Sequence, residues 1–233
     1  MSWFSRRKRD RDTVDAPAAE PAPAAPSGPG PHNVADLPQL GSRLDLGALR
    51  IPARPEMQVR LEVEKKTRNA VAVTLARAGS ALQLQAFAAP RSSGIWEDLR
   101  SEIAESVNKQ GGTTEEVEGR FGTELLARLP VKTPDGGTGH RPARFIGVDG
   151  ARWFVRGVVT GRAAVDADAA RELEDVLADV VVVRGSEPHA PRDVLVLRPP
   201  GKAGESTGGE TPHSGPLDAD AVMRRGPEIT EIR

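Results

Sequence analysis

Alternating apolar and polar side chains predict three consecutive β-strands in the first half of the chain. The alternation runs through residues 57–63, resumes at 71–75 and returns at 82–88, with short polar segments between the runs. A period of two places every second side chain on the same face of a sheet, which is typical of half-buried strands. A shorter apolar run at 46–51 predicts a further strand before these three.

The hydrophobic period then changes from that of a strand to that of a helix. Four apolar side chains follow at helical spacing, namely Trp96, Leu99, Ile103 and Val107. This spacing gives a helix one apolar stripe, while charged residues occupy the remaining positions. Ser93 is the predicted N-cap of this helix, and Gly111-Gly112 is the predicted stop.

The second half of the chain repeats this order of elements. The predicted elements are strands at 121–131, 143–148 and 152–160, a helix at 166–180 capped by Asp166, and a buried strand at 181–183. Antiparallel hairpins with two helices on one face predict a two-layer α+β domain with a mostly antiparallel sheet. The shared order of three strands and a helix also raises the hypothesis of an internal βββα duplication.

Composition divides the chain into a folded centre and two tails. Residues 1–36 begin with a basic run and continue as a Pro/Ala-rich stretch, whereas residues 199–233 are rich in Pro, Gly, Ser, Thr and charge. Such segments bury too little apolar surface to offset the entropy of ordering them, so both tails are predicted to be disordered. Residues 37–198 are the single predicted α+β domain.

Composition and charge exclude several classes of function. The 233-residue chain has no Cys, which excludes disulfides, a thiolate nucleophile, Cys-ligated zinc and iron–sulfur clusters. No apolar run approaches the ~20 residues of a membrane span, so a cytoplasmic location is expected. About residues 40–197 carry 22 basic and 22 acidic residues, so the core lacks the positive charge of a dominant nucleic-acid footprint.

Five arginines are concentrated between residues 141 and 162, where Asp149 is the only acidic residue. On the last predicted strand, Arg152, Phe154 and Arg156 share one face. Guanidinium groups beside an aromatic ring on an open sheet suit an acidic partner surface, a phosphate or a stacked base. The candidate partner-binding residues are therefore Arg144, Arg152, Phe154, Arg156 and Arg162.

Two alternatives without a binding role remain open for this cluster. The arginines can lie on an ordinary solvated sheet face, or they can pair with acidic residues of the two predicted helices. The carboxylates of the second helix are expected on a solvated face, and they are Glu172, Glu174, Asp175 and Asp179. Gln83, Gln85 and Phe87 extend the candidate surface if their strand neighbours the last one.

The chain contains no recognisable catalytic, metal or cofactor constellation. Its four histidines are scattered and lack the spacing of metal ligands. The glycine-rich segment at 136–139 lies between two predicted strands, which favours a hairpin turn over a phosphate-binding loop. No cofactor and no metal are therefore predicted. An enzyme without a recognisable motif stays open as a third hypothesis, which a cleft lined by His140 and Arg144 would support.

Several strings of the chain resemble one known family. These strings are Leu44–Pro52, Leu82–Arg91, Gly94–Trp96, Pro142–Gly150, Trp153–Gly157 and Val182–Gly185. They resemble the actinobacterial family called domain of unknown function 3710, over about residues 35–198. The resemblance implies an actinobacterial source and supplies no activity and no catalytic residue.

The leading functional hypothesis is a non-enzymatic binding or adaptor domain that presents its Arg/aromatic sheet face to an unknown protein partner. Nucleic-acid binding through the same face is the alternative, and its signature is a strong dependence of affinity on salt. Trp3-Phe4 and the basic run that follows also allow weak contact of the N-terminus with an anionic membrane surface.

Overall fold

The computed structural model describes residues 29–91, 94–133 and 136–200. The elements within these ranges are β1 (His32–Asn33), β2 (Arg43–Asp45), β3 (Leu49–Pro52), β4 (Gln58–Val63), β5 (Ala70–Arg77), β6 (Ser80–Ala88), α1 (Trp96–Lys109), β7 (Thr113–Gly119), β8 (Gly122–Lys132), β9 (Thr138–Gly150), β10 (Trp153–Gly161), a 3-10 helix (Arg162–Ala164), α2 (Ala167–Ala178) and β11 (Val181–Val182). Most of both predicted tails, and the predicted N-cap Ser93, lie outside the described residues.

Seven strands form one antiparallel sheet in the order β4-β5-β6-β10-β9-β8-β7. Within each half, consecutive strands pair through short turns, so the hairpins predicted by the sequence are present. The two halves meet where β6 pairs with β10 along its whole length. At one edge lies β7, which the sequence pattern did not indicate because both of its faces are largely polar.

Each face of the large sheet carries its own hydrophobic core beneath one helix. Trp153, Val155 and Val159 of β10 pack with α2, whereas Phe154 between them packs with α1. Successive side chains of a strand point to opposite faces, so α1 and α2 cover opposite faces of the sheet. The expectation that both helices lie on one face of two layers is therefore corrected.

A second sheet of four strands covers part of the α2 side. Its order is β1-β11-β3-β2, with β1 parallel to β11 and the other neighbours antiparallel. Leu49, Ile51 and Val182 of this sheet join the α2 core. His32 and Asn33, which the composition assigned to the N-terminal tail, form β1, so the fold includes residues before position 37.

The α+β class, with two helices and mostly antiparallel sheets, is confirmed by this arrangement. The internal duplication is not confirmed. A two-fold axis that exchanges the antiparallel strands β6 and β10 runs normal to the sheet and would leave both helices on the same face. Because the helices lie on opposite faces, the two halves do not repeat as symmetric units.

Candidate functional site

The fold separates the five residues that the sequence predicted to form one surface. Phe154 and Arg156 point to the α1 face of the large sheet, whereas Arg144 on β9 points to the α2 face. Arg152 and Arg162 flank the two ends of β10. The strands β6 and β10 are neighbours, which the sequence had left open, and Phe87 lies opposite Phe154 in the register.

Phe154 is a core residue and has no exposed surface. Its ring lies 6.1 Å from the ring of Trp96 on α1 and 6.0 Å from the ring of Phe87 on β6. These centroid separations are typical of aromatic packing inside proteins. Phe154 therefore holds α1 against the sheet, and the prediction that it lies on an open face is wrong.

Arg156 is also buried, with 4% of its surface exposed. Its Nη2 donates a hydrogen bond to Oε1 of Gln85, whose own Nε2 donates to the carbonyl oxygen of Val71 at 3.2 Å. The guanidinium carbon also lies 6.0 Å from the centroid of the Phe87 ring. These contacts lie inside the fold, so Arg156 is not on an open face either.

Arg144 bridges two carboxylates between the sheet and α2. Its Nε lies 3.2 Å from Oε2 of Glu124, and its Nη2 pairs with Oε1 of Glu174. Glu124 is 1% exposed, and burial raises the pKa of its carboxyl above the ordinary value. The charge of Arg144 opposes that rise, whereas the charge of Glu174 adds to it. The three side chains form an ionic cluster in which Glu124 is buried and the other two are half-buried, and we call it the Glu124–Arg144–Glu174 cluster.

Ion pairs engage all four carboxylates that the sequence assigned to the second helix. The pairs join Arg54 to Asp179, Arg77 to Glu172, Arg120 to Asp175 and Arg144 to Glu174. The partner arginines come from loops and strands around the helix, so they fasten α2 to the rest of the domain. Pairing of arginines with an acidic helix, one of the two alternatives left open by the sequence, is confirmed for Arg144.

Arg162 lies on the surface beside the N-terminus of α2. Its guanidinium contacts Oδ2 of Asp166 at 2.8 Å, and Asp166 accepts hydrogen bonds from the N–H groups of Asp168 and Ala169. The predicted N-cap role of Asp166 is thereby confirmed. The hydrogen bond from Ala169, followed by the one from Arg162, lowers the pKa of Asp166.

The backbone of Arg152 contacts the side chain of a second arginine, Arg184, at the end of the large sheet where β10 begins. The Arg152 carbonyl oxygen accepts hydrogen bonds from Ala89 N at 3.0 Å and from Arg184 Nε at 3.2 Å. Burial lowers the pKa of the Arg184 guanidinium, and the charge of Arg152 lowers it further, whereas Asp193 opposes the shift. Within residues 29–91, 94–133 and 136–200, neither arginine forms an ion pair with a carboxylate. We call these two residues the Arg152–Arg184 pair.

The acidic residues near this pair are engaged by backbone groups. Asp149 accepts hydrogen bonds from Ile95 N at 2.8 Å and from Trp96 N at 3.2 Å, so it caps α1 from the C-terminal end of β9. Asp193 accepts a hydrogen bond from Ala190 N at 2.9 Å. Both carboxylates therefore accept hydrogen bonds from the backbone, and the side chain of Arg184 is held by the carbonyl oxygens of Arg152 and Glu187 and not by a carboxylate in ion-pair contact.

We expect Asp149→Ala to lower the free energy of unfolding by about 1 kcal/mol, the usual cost of losing an N-cap. The carboxylate replaces the side-chain cap that Ile95 cannot supply. Urea unfolding of the wild type and the variant measures the difference. Asp149→Asn keeps an acceptor oxygen and serves as the control, and equal stability of the alanine variant and the wild type would contradict the capping role.

Sequence reasoning missed two residues that matter at these sites. Arg184 follows the short strand β11, and only the three-dimensional fold brings it next to Arg152. Glu124 lies among apolar residues of β8, and its place in the alternation, on the same face as Leu126, was the available signal of a buried carboxylate.

The structure brings no metal or catalytic cluster together in the part of the chain that it describes. No group of three or more His, Asp or Glu residues there is arranged to hold a metal ion. His140 is exposed, and it lies four residues from Arg144 on β9, or about 13 Å along an extended strand. Neither α1 nor α2 is long and apolar enough to cross a membrane, and no other α-helix is described.

Fold and site together define a class of protein. It is an α+β domain whose seven-stranded antiparallel sheet is covered on both faces and whose second helix is joined to the rest of the domain by Arg–carboxylate ion pairs. The chain belongs to the family described as protein of unknown function (DUF3710), which it matches over residues 30–206. The family predicted from the sequence is thus confirmed, whereas the actinobacterial source stays a prediction.

The comparisons with other proteins add little to this assignment. No curated protein matches the chain. A crystal structure from Bacteroides thetaiotaomicron VPI-5482 shares 14% identity and a TM-score of 0.36, over 63% of this chain and 49% of that one. The solution structure of cyanobacterial PsbP (CyanoP) from Synechocystis sp. PCC 6803 shares 13% identity and a TM-score of 0.33, over 61% and 94%. Similarities of this size support no conclusion about function.

Proposed function

We propose that this protein is a non-enzymatic cytoplasmic binding module that presents the Arg152–Arg184 pair to an acidic segment of a partner protein. The observation that carries the proposal is that Arg184 Nε donates to the backbone carbonyl oxygen of Arg152 at 3.2 Å, which brings two arginines together where neither forms an ion pair with a carboxylate among the described residues. Burial disfavours the charged form of Arg184, and the charge of Arg152 disfavours it further. A carboxylate from a partner would relieve the repulsion and could bind in a bidentate manner.

The contrast with the other predicted arginines supports this choice. Arg144, Arg156 and Arg162 are engaged by Glu124 and Glu174, by Gln85 and by Asp166 respectively. Arg152 therefore remains the member of the predicted set that is best placed to contact another molecule. The binding surface that we propose lies at the end of the sheet where β10 begins, whereas the sequence placed it on an open sheet face that bears Arg152, Phe154 and Arg156.

The location of the aromatic rings favours a protein partner over a nucleic acid. Binding to single strands depends on bases that stack on accessible aromatic side chains. In the described ranges, the aromatic rings are buried or half-buried, and the rings nearest to Arg156 belong to the α1 core. An acidic peptide needs no stacking platform, so the Arg152–Arg184 pair suits it better.

Reversing the charge of the Arg152–Arg184 pair is the test of this function. We expect a fluorescein-labelled oligoglutamate peptide to bind the wild type and to lose at least about tenfold in affinity with Arg152→Glu, because repulsion replaces a charge-assisted hydrogen bond. Arg184→Gln, which removes the charge without reversing it, should weaken binding to a smaller extent. Fluorescence anisotropy at low salt measures both changes.

Arg128→Glu is the matched control, because Arg128 is exposed on β8, remote from the pair. Thermal unfolding of each variant checks that the fold is retained. A labelled single-stranded oligonucleotide provides the second arm of the experiment. If the oligonucleotide binds through the same two arginines with a steep salt dependence and the peptide does not, the nucleic-acid alternative replaces our proposal.

A further inference from the structure

We propose that two copies of this chain associate through β4 and join their large sheets into one continuous sheet. At this edge of the seven-stranded sheet, β4 pairs with β5 on one side and has no neighbouring strand on the other among the described residues. An edge strand presents a row of unpaired N–H and C=O groups, to which another strand can add. The partner that we infer is a second copy of the same strand.

The turn after β4 shows which backbone groups point outward. The N–H of Glu64 donates to the carbonyl oxygen of Asn69 at 2.9 Å, across the β4–β5 turn and therefore inward. In an antiparallel strand, the N–H and C=O groups of one residue point to the same side of the strand, and successive residues alternate between the two sides. The N–H and C=O groups of Val59, Leu61 and Val63 consequently point away from β5, toward an added strand.

The same residues give this edge an apolar surface. Val59 is 45% exposed and Val63 is 54% exposed, and they are two of the four large apolar residues classed as exposed in the described ranges. Both lie on the face of β4 that also bears Leu61, which packs against the α2 core. Native edge strands usually avoid exposed valines, because an apolar unpaired edge tends to associate with other chains. We therefore expect a further strand to cover Val59 and Val63.

The sequence of β4 is complementary to itself in one antiparallel register. When the pairing is centred on Leu61, Val59 lies opposite Val63 of the second copy, and Arg60 lies opposite Glu62 of the second copy, twice each. Arg60 is exposed and has no ion-pair partner among the residues that the structure describes. A register centred on Arg60 or on Glu62 would instead place that residue opposite its own copy, so that like charges would face each other. A register centred between two residues would place the apolar face of one copy of β4 beside the polar face of the other.

The opposite edge of the sheet does not share this complementarity. Three of the seven residues of β7 are glutamates, at positions 115, 116 and 118. A second copy of β7 would meet them as like charges, which discourages pairing. Association through β4 alone is isologous and closes at two copies, so it gives a dimer and not a fibre.

Charge exchange at β4 tests the dimer and its register together. Sedimentation equilibrium of the full chain should give twice the 24.8 kDa protomer mass at high concentration. Arg60→Glu should raise the dissociation constant by about tenfold or more, because two attractive pairs become repulsive. Glu62→Arg should do the same. An equimolar mixture of the two variants should restore the dimer, because every cross-strand pair then joins opposite charges.

Arg128→Glu and Glu115→Arg make the same charge changes on exposed sites of other strands and serve as controls. Thermal unfolding guards against loss of the fold, in particular for Glu62→Arg, because Glu62 accepts a hydrogen bond from Gln83 Nε2 at 2.7 Å. A wild type that stays monomeric at the highest attainable concentration overturns the proposal. A dimer that neither reversal weakens, or two variants that fail to dimerise when mixed, overturns it as well.

Discussion

Replacement of Phe154 by alanine is expected to lower the free energy of unfolding by about 3–5 kcal/mol, the usual cost of deleting a fully buried aromatic ring. The ring contributes to the α1 core from the central pair of strands and contacts Trp96 and Phe87. Its loss leaves a cavity beneath α1 that the neighbouring rings cannot fill without moving. Urea unfolding followed by circular dichroism measures the change.

Val158→Ala is the matched control for this prediction. Val158 lies on the same face of β10 but is half-buried, so its truncation removes less buried surface and should cost clearly less. If Phe154→Ala were as stable as the wild type, the ring would not lie in the core. The surface role predicted from the sequence would then return.

Replacement of Arg144 by alanine should destabilise the fold by a similar amount, about 3–5 kcal/mol at neutral pH. The substitution removes the one cation of the Glu124–Arg144–Glu174 cluster and leaves the carboxylate of Glu124 at 1% exposure without its counter-charge. Removing one partner of a buried ion pair destabilises a fold by more than the lost attraction, because the other charge stays buried without compensation. Chemical unfolding of the wild type and the variant gives the difference.

The pH dependence of this deficit follows from the raised pKa of Glu124. A carboxyl with a raised pKa binds its proton more tightly in the folded chain than in the unfolded chain. Its contribution to stability is therefore largest below the ordinary pKa and falls as pH rises through the raised value. Removing Arg144 raises that pKa further, so the deficit of Arg144→Ala should be largest near neutral pH and should shrink on acidification toward the ordinary pKa of a glutamate.

A double variant separates charge burial from general loss of packing. Glu124→Gln keeps the shape of the side chain and removes the charge, so adding it to Arg144→Ala should recover part of the lost stability. Arg120→Ala is the control, because its ion pair with Asp175 is exposed and should contribute less than about 1 kcal/mol. A deficit that is independent of pH and that Glu124→Gln does not reduce would contradict the assigned role.

Local patterns were sufficient to predict most of the elements. The strands from β4 to β6, both helices and the cap by Asp166 follow from side-chain periodicity and capping chemistry within short windows. The cap of α1 did not follow, because Asp149 reaches Ile95 N from 54 residues away. The placement of the helices also escaped prediction, since a helical stripe does not show which face of a sheet it covers.

The candidate site was harder to predict because it depended on what covers the sheet. Alternation correctly placed Phe154 and Arg156 on one face, next to Gln85 and Phe87 of β6. That same face is the one that α1 covers, which the pattern of β10 alone cannot reveal. Arg184 was missed because it lies 32 residues from Arg152 in sequence, and no local pattern links the two residues.

The pairing of β6 with β10 has a consequence for how the chain folds. Gln85 and Arg156 contact each other across 71 residues, whereas the other pairs of the large sheet join strands that follow one another in sequence. Closing a long loop costs more entropy than closing a short turn, and topologies rich in distant contacts fold slowly. Two hairpin meanders should thus form early and independently, and the joining of their central strands, with Phe154 at the junction, should be the slow step of folding.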